Sequence, residues 1–306
     1  MQASAPTPSR PLCSWQLRTR TLELGRRTLV MGVVNITPDS FSDGGSFLAP
    51  EAAIARCLQC FEEGAEIVDL GAESTRPGSN AGGTAPAVSA DEEQARLLPV
   101  LTGVLQARPH AVVSVDTYKA ATARAALAAG AEIVNDVSGF TWDPELPSVC
   151  AQARCGVVLM HTRGRPEEWR AQSQLAPDVL LETVRSGLAR SLAVANRAGI
   201  PLHAMVVDPG YGFGKRLGEN FTLLARQHEL LALGRPLLAG LSRKSFLGHA
   251  LAPLHGGQNA PMDARETAGL AALVAAILNG ASIVRVHKVR PAVEAARIAD
   301  EILAAT

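Results

Sequence analysis

Along this chain the chemically capable side chains recur at one kind of place, the last residues of short aliphatic runs. Asn35, Asp69 with Glu73 beyond it, Asp116, Asn135 with Asp136, His161, Asp208, Ser242 with Lys244, and Arg285 with His287 each close such a run. One Asp after a strand is more often a helix cap than a ligand group. A whole series in register is different, because parallel strand ends gather their side chains at a single mouth. Two kinds of chemistry are on offer there. Asp116, Asn135 and Asp208 suit a ligand with several N–H donors, since a carboxylate accepts two of them side by side. Arg76, Arg243, Lys244, Arg285 and His287 are the basic residues placed to hold an anion.

Three loops add to this. Residues 31–45 leave the first run with turn formers, Phe41 and the carboxylates Asp39 and Asp43. Glu73-Ser74-Thr75-Arg76-Pro77-Gly78 leaves the second and continues into the Gly- and Ala-rich residues 79–87. Both read as lids over a site. In Asp208-Pro209-Gly210-Tyr211-Gly212-Phe213-Gly214-Lys215, Arg216 follows the Lys where a phosphate-binding P-loop needs Ser or Thr, and the dinucleotide fingerprint is also missing. Its glycines read instead as backbone kept slim for a flat ligand.

These residues need elements to hold them, and the pattern supplies eight strand–helix pairs. Buried-strand runs fall at 28–35, 66–71, 111–116, 132–137, 156–161, 204–208, 236–242 and 282–287, each followed by an amphipathic stretch. Ile54, Leu58 and Phe61 mark one helix face. Ser89 with Glu92 signals a helix start before Leu97, Leu98 and Leu101, and Asp263 with Glu266 repeats the signal before Leu270, Val274 and Ile277. Strict alternation could also give an open doubly wound sheet, but the count favours an α/β TIM (β/α)8 barrel, whose sites form at the C-terminal strand ends and whose last strands often bind phosphate. Residues 15–27 alternate in polarity with a Leu24-Gly25-Arg26 turn signal, predicting a short N-terminal β-hairpin at the barrel's lower mouth. Residues 1–14 read as a flexible tail and 15–306 as a single domain.

Composition narrows the function classes. A chain of 306 residues, 47% of them hydrophobic, can bury one large core. Twenty-nine basic residues balance twenty-nine acidic ones, so the general positive field needed for nucleic acid or an anionic membrane is missing. No apolar run reaches the ~18 residues of a membrane span. A cytoplasmic protein with small-molecule partners is expected. Five scattered cysteines fit reduced thiols, and the Cys57-x-x-Cys60 pair, lacking a second ligand pair nearby, reads as helix packing.

Taken in order, residues 31–45, 73–78, Ser114-Val115-Asp116-Thr117, 134–139, 208–215, 240–245 and Arg285-Val286-His287 resemble the dihydropteroate synthase family of pterin-binding barrels. No one string is specific, but the ordered set is. The resemblance implies a transferase of folate biosynthesis that condenses 6-hydroxymethyl-7,8-dihydropterin diphosphate with 4-aminobenzoate, uses Mg2+, acts as a homodimer and is a sulfonamide target. It implies that Asp116, Asn135, Asp208 and Lys244 hold the pterin, and that Arg285 and His287 grip the diphosphate with Thr75 nearby. Asn35 would hold Mg2+, with Asp39 or Asp43 as further candidates. Phe41, Thr75, Arg76, Pro77, Phe213, Lys244 and Ser245 would shape the aminobenzoate pocket. Lys244, Arg285, His287 and Asp116 are the residues it implies for catalysis.

The chain departs from the family pattern at Ala72, in the length of residues 79–87, and at Lys288, where an acidic residue is usual. A methyltetrahydrofolate methyltransferase would share the pterin-facing residues but has no need of the Thr75-Arg76-Pro77 loop or the diphosphate grip. A noncatalytic homologue that binds pterin without turnover would carry the same cradle, and a lysine placed like Lys244 on a barrel strand could form a Schiff base.

Overall fold

The computed structural model describes residues 10–36, 49–74, 81 and 88–305. Strands β1 (Cys13–Gln16) and β2 (Thr21–Leu24) form a separate antiparallel pair. The other eight are β3 (Leu29–Asn35), β4 (Ile67–Gly71), β5 (Val113–Asp116), β6 (Ile133–Asp136), β7 (Gly156–Met160), β8 (Met205–Asp208), β9 (Leu237–Ala239) and β10 (Ala281–Val286). They run parallel and close into a barrel, with β10 hydrogen-bonded to β3. Each lies within or one residue beyond an expected run. The helices are α1 (Ala49–Glu62), α2 (Ala90–Ala107), α3 (Ala120–Ala128), α4 (Leu146–Ala153), α5 (Pro177–Arg197), α6 (Leu217–Ala225), α7 (Ser245–Ala250), α8 (Glu266–Leu278) and α9 (Val289–Ala304). One or two follow each barrel strand, giving the (β/α)8 architecture.

Residue parity along the strands decides which side chains meet. Val34, Leu70, Val115, Val134, Leu159 and Val284 face outward into the shell packed by the helices. Leu29, Met31, Ile67, Ile133, Val206 and Ile283 face inward and fill the lower half of the barrel. Burying each such side chain is worth roughly 1.5–3 kcal/mol. Two residues further along the same inward faces, the chemistry changes: Asp69, Ser114, Asn135, Asp208 and Arg285 replace the aliphatics.

The N-terminal hairpin seals the lower end. Trp15, Leu17 and Leu24 are buried against that apolar layer, and the Trp15 indole Nε1 donates to the Ala204 carbonyl at 2.9 Å. Its turn lies at Leu17–Arg20, where Leu17 N donates to Arg20 O at 2.8 Å, and not at Leu24-Gly25-Arg26 as expected. Gly25, with φ +99°, instead ends β2; a Cβ there would meet the Pro11 carbonyl oxygen at 2.5 Å. The expected tail also shortens. Residues 1–9 lie outside the described residues, but Arg10 is buried, bonded to Thr28 Oγ1 and paired with Asp300 at 2.6 Å.

The local helix signals have mixed outcomes. Ser89 caps α2, accepting from Glu92 N at 3.2 Å. In α1 the buried stripe centres on Ala53, Cys57, Cys60 and Phe61, while Ile54 and Leu58 lie at its margin. Burial pushes the Cys57 thiol up to about 12, consistent with a packing role. Asp263 does not cap α8. It sits in a single 3-10 turn, and Glu266, the first residue of α8, turns its carboxylate to Arg243 at 3.2 Å.

Candidate active site

The upper inward residues enclose a cavity of about 1190 Å³ at the C-terminal ends of the strands. Asn35, Asp116, Asn135, Asp208, Phe213, Lys244, Ser245, Arg285 and His287 all line it. Gly240 lines it, and Gly71 faces inward beside it. A Cβ on Gly71 would stand 3.6 Å from Asp116 Cβ and 3.7 Å from Asn35 Oδ1, and one on Gly240 would stand 3.9 Å from Arg285 Cβ and 4.0 Å from Asp208 Oδ2. Side chains at these two inward positions would occupy the space between the functional groups.

The expected slim backbone is therefore at Gly71 and Gly240 more than in the 208–215 loop. There, a Cβ on Gly210 would collide with the His161 carbonyl oxygen, and one on Gly214 would come within 2.7 Å of Arg163 Cβ. Both have positive φ, so packing and conformation explain them. Gly212 alone of the three lines the site, and a Cβ on it would stand 3.4 Å from Lys244 Cδ.

Charge in the mouth is organised around Arg285. Its Nη2 donates to Asp116 Oδ2 and its Nε to Asp69 Oδ2, both at 2.6 Å. The same Asp69 oxygen accepts from Asn135 Nδ2 at 3.0 Å. Burial opposes the Arg285 charge, and the two carboxylates more than offset it, holding its pKa above the ordinary value. Burial lifts Asp116 to about 7 against the pull of Arg285, with Asp69 adding to the rise. Asp208 is raised too, chiefly by burial, and its Oδ1 accepts from Gly210 N at 2.7 Å.

Lys244 follows β9, the strand between those of Asp208 and Arg285, and its Nζ lies 4.1 Å from the centroid of the Phe213 ring in a cation–π contact. Burial lowers its pKa to about 8, Asp208 opposing the fall. Phe213 is braced edge-on by Trp169. His287 Nδ1 lies 3.0 Å from Ser242 Oγ, and Arg56 Nη2 donates to the His287 carbonyl at 2.8 Å.

Not every strand-end residue faces the mouth. Asp136 points outward on β6 and accepts from Ser138 N, Ser138 Oγ and Phe140 N, fixing the turn that follows. His161 packs against α5 beside Gly187. Phe41, Thr75, Arg76 and Pro77, and the metal candidates Asp39 and Asp43, lie outside the described residues. Among the described residues no three His, Cys, Asp or Glu side chains converge as a metal site. Asn35 offers one hard oxygen at the cavity wall, which fits an Mg2+ that comes with a diphosphate and keeps most of its ligands from it and from water.

Asp69 and Arg56 had no role assigned from sequence. Asp69 is readable by parity alone, two residues before Gly71 on the inward face of β4. Nothing local marks Arg56, which reaches the site from a helix.

Comparison with known proteins agrees with this geometry. The model of the family described as pterin binding enzyme matches residues 31–287. The chain belongs to that family. This pterin-binding enzyme is 40% identical over 278 residues to a dihydropteroate synthase of Synechocystis sp., covering 91% of each chain. It is 44% identical over 269 residues to that of Mycobacterium leprae, covering 88% of this chain and 91% of the relative. Among solved structures it is similar to Yersinia pestis dihydropteroate synthase in complex with a sulfonamide drug, with TM-score 0.84, 36% identity, and coverage of 96% and 100%. The Xanthomonas albilineans enzyme in complex with 7,8-dihydropteroate gives TM-score 0.79 and 36% identity, covering 95% and 99%. No helix among the described residues is long and apolar enough to cross a membrane.

Proposed function

We propose that this chain condenses 6-hydroxymethyl-7,8-dihydropterin diphosphate with 4-aminobenzoate, yielding 7,8-dihydropteroate and diphosphate. The observation that carries the reading is the convergence of Asp116, Asn135, Asp208 and Lys244 around one cavity, beside Arg285 and His287. A flat ring with an N–H edge and a carbonyl fits the first group, and a diphosphate fits the second. The relatives' names supply the same reaction.

In this reading Asp116, Asn135 and Asp208 accept from or donate to the pterin's nitrogen edge, and Lys244 donates to its carbonyl and ring nitrogen. The bond from the pterin methylene to the diphosphate oxygen breaks first, and the electron pair leaves with the diphosphate. Arg285 and His287 stabilise that leaving charge. Asn35 would hold Mg2+, which would supply further charge neutralisation for the leaving group. The methylene cation, conjugated with the ring, then meets the amine of 4-aminobenzoate, which forms the C–N bond and gives up a proton. Phe213 and Ser245, with Phe41, Thr75, Arg76 and Pro77, orient that amine. No side chain becomes covalently attached, so Lys244 acts as a donor and not as a Schiff base.

Two further parts of the proposal concern state and place. The α8 sequence is apolar around most of its circumference, with Leu270, Val274 and Leu278 half-buried and Ile298 and Ile302 of α9 exposed. Such a face supports a homodimer, which light scattering would detect as twice the 32.0 kDa chain mass. The chemistry and the scattered thiols support a cytoplasmic enzyme. The decisive assay mixes the purified protein with the pterin diphosphate, 4-aminobenzoate and Mg2+. Dihydropteroate should form, and a sulfonamide should compete with 4-aminobenzoate. Normal pterin binding without product would instead establish the noncatalytic homologue.

A further inference from the structure

The 208–215 loop contains a buried cation that substrate chemistry does not use. Lys215 is buried, and its Nζ lies 2.8 Å from Gly210 O, 3.1 Å from His161 O, 3.3 Å from Phe213 O and 3.0 Å from His161 Nδ1. Left-handed backbone at Gly210, Gly212 and Gly214, with φ +71°, +84° and +70°, coils the loop around this ammonium. Only glycine adopts that series without strain. The Gly210 peptide is held at both ends. Its oxygen accepts from Lys215, and its N–H donates to Asp208 Oδ1 at 2.7 Å. Phe213, whose oxygen also accepts from Lys215, carries the ring beneath Lys244.

We propose that Lys215 is a positioning residue of the pterin site, its ammonium fixing the Asp208 carboxylate through Gly210 and keeping it ionised. The inference rests on the pterin-binding reading of the cavity. The groups facing Lys215 are Asp208, His161, Lys244, Arg163 and Glu219. His161 is kept neutral by burial and by the neighbouring cations Lys215, Arg163 and Arg190, so it accepts at Nδ1 without competing for the charge. Burial raises Asp208, and the Gly210 N–H, Lys244, Lys215 and Arg285 oppose the rise. Of those three cations, Lys244 and Arg285 line the cavity, whereas Lys215 lies behind it. Burial lowers the Lys215 pKa to about 7, Asp208 opposing the fall, so on the acid side of that value Lys215 holds the carboxylate whether or not a ligand draws on the other two.

The test compares wild type with Lys215→Gln, Lys215→Met and Lys215→Arg. Gln keeps two N–H donors for the carbonyls and removes the charge; Met removes both; Arg keeps the charge. Calorimetry measures the Kd of 6-hydroxymethylpterin from about pH 5 to about pH 9, a range spanning shifted carboxylates, with melting temperature alongside. Lys215→Gln should bind about tenfold more weakly on the acid side of neutrality, and the Asp208 step of its acid limb should lie about one pH unit higher, because Asp208 protonates more easily. Lys215→Arg should keep the wild-type acid limb even where its melting temperature falls. The acid step of Asp116, which answers to Arg285, Asp69, Glu93 and Asp136, is common to every protein compared. If Lys215→Met does not fold, the Gln and Arg variants decide. An unmoved Asp208 step in Lys215→Gln, with or without weaker binding, or a shifted one in Lys215→Arg, would overturn the inference. Wild type that fails to bind the pterin would remove the functional reading itself; wild type that binds normally beside an unchanged Lys215→Gln removes only the role of Lys215.

Discussion

Arg285 reaches across the barrel from β10 to β5 and donates to Asp116 at 2.6 Å. The sequence separates these two residues into an anion grip and a cradle for a nitrogen-rich ring. The structure joins them, with Asp69 closing the other side of the guanidinium at 2.6 Å. A pterin that takes up the Asp116 carboxylate therefore competes with, or shares, the same oxygen that orients Arg285. In the proposed function, the pterin pocket and the leaving-group pocket are thus one charge network.

That network predicts a large loss for Arg285→Gln. Two carboxylates, Asp69 and Asp116, would be left facing each other, and the leaving diphosphate would lose a donor. Removing one donor of this kind, or one partner of a buried pair, typically costs about 3–4 kcal/mol, or about two to three orders of magnitude in rate. Steady-state dihydropteroate formation should show kcat/KM reduced by about a hundredfold or more. A loss below about tenfold would mean that Arg285 serves mainly to order Asp69.

The pH dependence should be bell-shaped. In the proposed function Asp116 and Asp208 must both be ionised to accept the pterin's N–H groups, so the Asp116 pKa of about 7 sets the first step of an acid limb and Asp208 a further one. Lys244 must be protonated to donate, so its pKa of about 8 sets a basic limb. Pterin affinity should peak between them, and Lys244→Met should abolish the basic limb while weakening binding throughout. Stability runs the other way for Asp116. Its folded pKa is raised above 3.8, so the folded chain holds a proton that the unfolded chain has released. The stabilisation is full below the unfolded value and is lost as pH rises through about 7. A calorimetric series with Asp116→Asn should flatten that slope.

Much of this site was legible because a barrel converts strand position into geography. Asp116, Asn135 and Asp208 lie at the ends of their strands at inward parity, so a one-dimensional pattern places them around a single mouth. Asp136 ends a strand as conspicuously as Asn135, but one residue of parity turns it outward to bind Ser138 and Phe140. The Arg285 bridges join β10 to β4 and β5, residues 216 and 169 positions apart, and no local pattern encodes a contact of that span. Leu24-Gly25-Arg26 carried a true turn signal that belongs to the exit from the hairpin. The hairpin's own turn at Leu17–Arg20 has no glycine to announce it.

The hairpin predicts a variant in which stability and chemistry separate. Trp15 is fully buried in the lower plug, and its indole satisfies the Ala204 carbonyl at the far end of the barrel from the site. Trp15→Ala should lower stability by about 3–5 kcal/mol, from lost burial, the cavity left behind and an unpaired carbonyl. Denaturant melts would register the loss, while kcat of the folded protein should stay within about twofold of wild type, since surface and remote sites rarely alter the reacting geometry. A selective fall in kcat with unchanged stability would contradict the assignment of the hairpin as a structural plug.

The donor set at Asn35 predicts how the proposed Mg2+ would enter. One amide oxygen, with no cluster of His, Cys, Asp or Glu around it among the described residues, is too little to retain Mg2+ from water. Titration of the protein alone with Mg2+ should therefore give no measurable heat of site binding, and titration in the presence of diphosphate should. Asn35→Ala should weaken that diphosphate-dependent binding and lower turnover, yet leave the affinity for 6-hydroxymethylpterin, which carries no phosphate, within about twofold, because a cation acts mainly on the leaving oxygen atoms. Chelation by EDTA should reproduce both effects in wild type. Tight Mg2+ binding to the protein without diphosphate would instead require a preformed set of oxygen ligands, and would assign carboxylates such as Asp39 or Asp43 to the metal.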